Sequence, residues 1–171
     1  MQTRKVVHMG MLIALAMVLS FIESQIPAFI AVPGLKLGLA NIAIVFALYS
    51  LGFKEALGVS LVRVVLSALL FGSVLSGAYS AAGALVSLAG MALLKKTNLF
   101  GTVGVSVFGA VLHNLGQIGL AWLILKTQAL AYYLPFLILS AVAGGIVIGI
   151  VSAVLVERIG GGEYGRGEKQ D

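Results

Sequence analysis

The sequence predicts an all-α integral membrane protein with about six transmembrane helices in one bundle. Hydrophobic residues make up 60% of the 171 residues and charged residues only 10%, whereas a soluble domain is about 45–50% apolar and about 25% charged. Such a chain has too few polar groups to cover its surface in water. A spanning helix takes roughly 20 residues, so six spans would use about 120 residues. The remainder is short loops, with no room for a soluble catalytic domain.

Hydrophobic runs separated by turn residues predict the six helices. In chain order they cover residues 6–26, 37–51, 54–71, 76–94, 101–125 and 132–156. The first run lacks a small-residue cleavage pattern before Pro27, so we expect it to be retained as a helix. The second run is short, and Gly34 and Gly38 allow an irregular start of the kind that can mark a transporter binding site. An ordinary tight loop explains the same pattern equally well.

The distribution of Lys and Arg predicts that both termini are cytoplasmic. With the N-terminus inside, eight of the eleven basic residues fall in cytoplasmic segments, while only Lys36 and Lys126 lie outside and Arg63 lies within the membrane. We therefore expect residues 1–159 to form the transmembrane domain and the Gly-rich, charged residues 160–171 to form a disordered cytoplasmic tail. The net charge of +5 orients helices and does not indicate nucleic-acid binding.

Several kinds of catalytic and metal site are excluded by composition. The chain contains no cysteine, and its single aspartate is the last residue, Asp171. Mg²⁺-dependent diphosphate chemistry normally needs clustered carboxylates to hold the metal. His8 and His113 are too far apart in sequence and depth to suggest a metal site. We expect a protein that is not an enzyme by itself and that binds no metal or cofactor.

Arg63 lies in the middle of the apolar run 56–72, and it is the first indication of a functional site. A charged side chain at the centre of a bilayer costs about 2.5–3.5 kcal/mol on insertion scales. Such a residue usually faces the protein interior or a water-filled cavity, and it needs a partner. A buried pair with Glu23 is one explanation, and a ligand is the other.

Other polar residues share the depth range between Arg63 and the outer surface. His113 and Gln117 are four residues apart and therefore share one helix face. Each of these residues also has a structural explanation, such as interfacial anchoring or interhelical hydrogen bonding, so the prediction depends on the cluster. We expect an outward-facing cavity for a small, partly anionic ligand, since Arg suits carboxylate or phosphate. The predicted ligand-binding residues are Glu23, Lys36, Asn41, Arg63, Ser67, Tyr79, His113, Asn114 and Gln117.

Small residues four apart occur on the first and sixth helices. Gly10 and Ala14 form one such step, and Gly145 and Gly149 form another. These steps allow helix backbones to approach closely. They serve either internal packing or docking of a second membrane subunit, and the sequence leaves both interpretations open.

Four segments of the chain form recognisable motifs, namely residues 33–42 (PGLKLGLANI), residues 51–57 (LGFKEAL), Arg63 with residues 70–72 (LFG), and residues 109–117 (GAVLHNLGQ). Together they resemble the bacterial family labelled heptaprenyl diphosphate synthase component I, which is also called the Gx transporter family. The resemblance extends over roughly residues 9–157. It implies a multi-pass protein of the bacterial cytoplasmic membrane.

The resemblance implies two competing roles. One is a non-catalytic membrane component of a prenyl diphosphate synthase in isoprenoid and menaquinone synthesis, partnered by a soluble synthase subunit. The other is a substrate-binding S component of an energy-coupling-factor importer, partnered by a transmembrane coupling subunit and ATPases. S components often dock through small residues of their first helix, here Gly10 and Ala14. The absence of catalytic carboxylates favours the importer role, with the synthase component as the alternative.

Overall fold

The described residues form six helices and contain no strand. The structure is a computed structural model that describes residues 2–25, 38–126 and 129–159. The helices are α1 (Gln2–Gln25), α2 (Asn41–Ser50), α3 (Phe53–Phe71), α4 (Val74–Lys96), α5 (Thr102–Leu125) and α6 (Ala129–Arg158). The all-α prediction is therefore confirmed.

Four of these helices are long and apolar enough to cross a membrane. Their candidate spans are Thr3–Gln25, Val74–Lys96, Thr102–Leu125 and Leu134–Arg158. Helix α2 is shorter, with 10 residues, and α3 has 19 residues but carries Lys54, Glu55 and Arg63. Length and composition therefore support four spans directly, and the whole set fits an all-α membrane bundle.

The start of α2 differs from its predicted boundary. The prediction began at residue 37, but α2 begins at Asn41, after a turn in which the Asn41 amide donates to the Gly38 carbonyl at 2.8 Å. Gly38 has a φ of +75°, a left-handed conformation that interrupts a regular helix and that glycine adopts readily. The turn at Gly38 fits both an irregular helix start and an ordinary tight loop, while Gly34 and Lys36 lie outside the described residues.

At the start of α4, side-chain capping extends the helix beyond its predicted start. The Ser73 hydroxyl accepts from the Ser76 amide at 3.2 Å, and the Ser76 hydroxyl accepts from the Ser73 amide at 3.1 Å. This reciprocal capping box pairs two backbone donors that would otherwise be unsatisfied. As a result α4 begins at Val74, two residues before the predicted start.

The helices form a ring in the order α1, α3, α4, α5, α6, α2, and α2 also packs against α3. We call the end of the bundle where α1 begins and α6 ends the terminal end, and the opposite end the distal end. The apolar core lies toward the terminal end and includes the buried residues Leu48, Val59, Leu88, Met91 and Val105. The distal end is therefore where room remains for a site.

Glycines bring α5 close to its neighbour α6. A Cβ atom added at Gly145 or Gly149 would lie 2.7 Å from the Cα atom of Val107 or Val103 of α5. The small-residue step of the sixth helix therefore serves internal packing. The step on α1 is different, since a Cβ at Gly10 would meet no atom within 4 Å and Ala14 is exposed.

The outer surface of the ring is strongly apolar. Large hydrophobic side chains on three different helices are mostly exposed, including Leu69 at 74%, Leu123 at 69% and Leu139 at 71%. A soluble monomer rarely exposes contiguous apolar patches of this kind. Contact with lipid accounts for them, as expected of a membrane protein.

Candidate functional site: a polar cavity at the distal end

A polar cavity of about 100 Å³ lies at the distal end of the bundle, and all six helices contribute to its lining. Seven of the nine predicted ligand-binding residues line it. They are Glu23, Asn41, Arg63, Ser67, His113, Asn114 and Gln117. The structure therefore brings most of the predicted cluster together in one place.

Helical spacing explains how residues distant in sequence meet there. On α3, Arg63 and Ser67 are four residues apart and lie on one face. On α5, His113 and Gln117 have the same spacing. Because the helices surround a central space, one polar face from each is enough to build the lining.

Arg63 is the most buried ionisable group of the cavity lining. Its side chain is only 9% exposed, and its Nε atom has no hydrogen-bond partner among the described residues. The carboxylate of Glu23 is near enough for its charge to act on the guanidinium. Arg63 thus combines a fixed positive charge, burial and an unused donor at the cavity wall.

Glu23 has a second role, which the sequence did not predict. Its Oε1 atom accepts a hydrogen bond from the backbone amide of Gly38 at 2.5 Å. This bond links the last turn of α1 to the turn that precedes α2. The carboxylate therefore fixes the backbone at the cavity edge while its charge acts on Arg63.

Two of the predicted site residues also join neighbouring helices. The Asn114 side-chain amide donates to the Leu137 carbonyl at 2.9 Å, which connects α5 to α6. The Ser67 hydroxyl contacts the Met17 sulfur at 3.6 Å, which connects α3 to α1. Asn114 and Ser67 can therefore also be explained as residues that hold neighbouring helices together, because their side chains already have partners on those helices.

Two predicted residues are not shown at the cavity. Tyr79 does not belong to its lining; its hydroxyl is buried and has no hydrogen-bond partner among the described residues. Since Tyr79 is adjacent to Ser80, which does line the cavity, its side chain projects from a neighbouring face of α4. Lys36 lies outside the described residues.

Four serines that the prediction omitted also line the cavity, namely Ser20, Ser24, Ser76 and Ser80. Ser20 and Ser24 are one turn apart on α1, beside Glu23. Ser76 and Ser80 are one turn apart on α4. The sequence signal that could have identified these serines is their spacing of four residues, which places each pair on one helix face near a predicted site residue. Serine is too common in membrane helices for that spacing alone to select these positions.

The arrangement is suited to binding. The lining offers one guanidinium, one carboxylate, an imidazole, amides and hydroxyls, and every one of these groups except the carboxylate can donate a hydrogen bond to an anion. Among the described residues, no group of three His, Cys, Asp or Glu side chains could hold a metal ion. The site therefore favours recognition of a small polar or anionic group.

Comparison with known proteins agrees with the resemblance carried by the sequence motifs. Neither the curated proteins nor the solved structures returned a match. The family described as heptaprenyl diphosphate synthase component I matches residues 12–155. That match includes four helices in full, most of α1 and α6, and every cavity residue named above, and the chain belongs to the heptaprenyl diphosphate synthase component I family.

Proposed function

We propose that this chain is a non-catalytic membrane subunit that binds a small anionic group in its distal cavity. The observation that carries the proposal is Arg63, which is nine-tenths buried at the wall of a cavity that all six helices line and whose Nε has no hydrogen-bond partner among the described residues. A buried charge without sufficient partners is costly. An anion in the cavity would offset that cost by accepting hydrogen bonds from the guanidinium.

The size of the cavity limits what it holds. A volume of about 100 Å³ is well below the roughly 300–1,000 Å³ of pockets that enclose drug-sized ligands. The cavity therefore suits one carboxylate- or phosphate-sized group. This group is either a small solute or the head of a larger molecule.

Family membership indicates the kind of assembly in which the subunit works. The family description names a component of heptaprenyl diphosphate synthase, so we assign the chain to the membrane part of such an assembly. Its only aspartate is Asp171, whereas metal-dependent diphosphate chemistry normally uses clustered carboxylates. The chemistry would then belong to a soluble partner subunit.

A second candidate function is the S component of an importer, with a transmembrane coupling subunit and ATPases as partners. Two observations favour it. The cavity lies at the end opposite the termini, which is the outer side under the positive-inside rule. Gly10 and Ala14 also remain exposed on α1, where close docking of another helix is possible. The family description supports the synthase assignment more directly.

Purification of tagged chain from its native membrane in mild detergent separates the two assignments. A co-purifying soluble synthase subunit with clustered aspartates would support the first. A membrane coupling subunit with ATPases would support the second and contradict the first. Recovery of the chain with neither set of partners would contradict both assignments.

A matched pair of variants tests docking through α1. Gly10→Leu adds a side chain where no atom lies within 4 Å, so we expect the bundle to fold normally. If α1 is a docking face, this variant loses its partner, while Gly119→Leu, also in open space on α5, retains it. Partner recovery that is equal in the two variants would exclude docking at Gly10.

A further inference from the structure

Both signs of charge line the distal cavity. The described lining contains one guanidinium, Arg63 of α3, and one carboxylate, Glu23 of α1, beside the imidazole of His113. The guanidinium and the carboxylate are near enough for their charges to act on each other. Of the other cations toward this end, Lys126 follows α5 outside the lining, and Lys36 lies outside the described residues. The cavity therefore presents a positive and a negative group to whatever it holds.

Two buried polar atoms of this lining have no hydrogen-bond partner among the described residues. One is Nε of Arg63, and the other is the hydroxyl oxygen of Ser20. Ser20 lies three residues before Glu23 on α1, so the two share one helix face. A guanidinium nitrogen only donates, whereas a hydroxyl also accepts. The cavity therefore has an unused donor on the side of Arg63 and a hydroxyl that can accept on the side of Glu23.

A ligand with a single charge complements only one of the two charged groups. An anion at Arg63 is repelled by Glu23, and a cation at Glu23 is repelled by Arg63, because charges interact strongly at short range in a partly buried site. A ligand that carries both charges meets an opposite charge at each end. A carboxylate has about four lone-pair sites, so Glu23 can accept from an ammonium while it accepts from the Gly38 amide.

We propose that the distal cavity binds a small zwitterion, with its anionic group at Nε of Arg63 and its ammonium between Glu23 and Ser20. Hydrogen bonds between charged groups of this kind are the strong ones. The volume of about 100 Å³ equals that of about three molecules of liquid water at about 30 Å³ each. It leaves space for an anionic group, a short link and an ammonium, as in a small amino acid. This inference rests on the proposed function and adds the ammonium to the small anionic group.

Alanine, propionate and ethylamine test the two charges separately, because propionate lacks only the ammonium of alanine and ethylamine lacks only its carboxylate. Isothermal titration of the purified full chain in uncharged detergent near neutral pH measures their binding. We expect alanine to bind at least about tenfold more tightly than either of the others. Equal binding of alanine and propionate would overturn the zwitterion and leave anion binding standing. Failure of alanine, propionate and inorganic phosphate to bind would contradict the anion site as well, while the partner assignments are measured by co-purification.

Substitution of Glu23 by Gln locates the ammonium, since Gln keeps an acceptor for the Gly38 amide. We expect about tenfold weaker binding of alanine, with propionate binding unchanged or tighter, because only alanine carries the ammonium. Glu55→Gln is the matched control, since Glu55 pairs with Lys5 at 3.2 Å and lies outside the lining. Parallel loss of both ligands in Glu23→Gln would indicate a structural role for the carboxylate and overturn the proposal.

A second matched pair tests the unused hydroxyl. Ser20→Ala should weaken alanine binding about threefold and leave propionate binding unaltered. Ser152→Ala should change neither, although the Ser152 hydroxyl is also buried without a partner among the described residues, because it lies outside the lining. Lys36→Gln should preserve the ratio of the alanine and propionate affinities. Equal effects of the two serine variants, or loss of that ratio in Lys36→Gln, would overturn the placement of the two charges.

A lipid head is another source of the same chemistry. Phosphatidylethanolamine carries a phosphate and an ammonium, whereas phosphatidylglycerol carries the phosphate without an ammonium. Displacement of alanine by phosphatidylethanolamine but not by phosphatidylglycerol would assign the zwitterion to a lipid head, and displacement by neither would assign it to a small solute. Equal displacement by both lipids would show that the ammonium is not recognised, and the proposal would fail.

Discussion

At the scale of single residues, Arg63 decides how the distal cavity is interpreted. A purely structural guanidinium would be expected to have its donors paired, because unpaired buried polar groups are expensive. Arg63 is buried, yet its Nε has no hydrogen-bond partner among the described residues. The carboxylate of Glu23 accepts a hydrogen bond from the Gly38 amide. It therefore serves both this backbone hydrogen bond and the electrostatic interaction with Arg63. Arg63 consequently retains capacity for an additional anion.

Substitution of Arg63 by Met separates ligand binding from folding. Met has similar bulk and no charge, but it leaves the Glu23 carboxylate without a compensating cation, and removal of one partner from a buried ion pair costs up to about 3–5 kcal/mol of stability. Because Glu23 is only partly buried and keeps the Gly38 amide as a partner, we expect a loss of stability below that limit, together with a loss of about 1.5–3 kcal/mol of binding free energy for an anionic ligand. Ligand retention by native mass spectrometry, beside a thermal melt, checks both. Loss of folding without a specific loss of binding would indicate a structural ion pair.

Two substitutions of Glu23 distinguish its hydrogen bond from its charge. Glu23→Ala leaves the Gly38 amide unpaired, so we expect a loss of about 1–3 kcal/mol in unfolding free energy. Glu23→Gln keeps an acceptor but removes a negative charge near Arg63, so anion affinity should increase while stability is largely retained. Thermal melts and anion titration measure the two effects. Weaker anion binding by Glu23→Gln would show that the carboxylate itself contacts the ligand.

At the scale of helices, close approach of α4 and α5 positions His113 and Gln117. A Cβ atom at Gly83 of α4 would lie 2.6 Å from the His113 carbonyl oxygen and 2.8 Å from Gln117 Cγ. The Ser87 hydroxyl donates to the Gly109 carbonyl at 2.8 Å and joins the same two helices. The position of this cavity wall therefore depends on the close approach of the α4 and α5 backbones, which Gly83 permits.

Substitution of Gly83 by Ala tests this dependence. The added methyl group meets backbone of α5, which cannot move away as a side chain can, so the two helices must separate. We expect a destabilisation of about 1–3 kcal/mol, typical of overpacking, together with weaker ligand binding. Gly119→Ala is the control, since its Cβ meets no atom within 4 Å and alanine favours helix by about 0.5–1 kcal/mol. Similar melting temperatures for both variants would contradict the proposed packing.

At the scale of the whole molecule, the ring places a packed core at one end and the cavity at the other. Contacts at the terminal end include the Lys95 ammonium, which donates to the Leu48 carbonyl at 3.0 Å and lies 4.7 Å from the centroid of the Tyr49 ring. Such contacts join α4 to α2 and close the terminal end. Under the positive-inside rule that end faces the cytoplasm, so the cavity is expected to face outward.

Cysteine labelling measures this orientation, because the natural chain contains no cysteine. Val74 at the distal end is 87% exposed and Leu99 between α4 and α5 is 80% exposed. We expect Val74→Cys to react with a membrane-impermeant maleimide in intact cells and Leu99→Cys to react only after permeabilisation. The opposite pattern would place the termini outside and the cavity toward the cytoplasm.

The sequence by itself determined the membrane class, the helices and most of the charged and amide side chains that line the cavity. Hydrophobic runs fix helices because backbone groups in lipid must be paired internally, and the cost of burying Arg63 indicated a polar interior. The cluster of polar residues was visible because charged and amide side chains are rare at such depth. Family membership could be assigned from short motifs such as residues 109–117, and the comparison confirmed it.

Only the tertiary structure decided which faces meet. It placed Ser20, Ser24, Ser76 and Ser80 at the cavity and Tyr79 away from its lining, assigned Gly145 and Gly149 to internal packing, and gave Glu23 its bond to Gly38. It also revealed an apolar groove between α1 and α6. The physical reason is that many weak packing contacts together decide how each helix is rotated about its axis and which helices it contacts. Hydrophobicity along the chain specifies only that a helix forms.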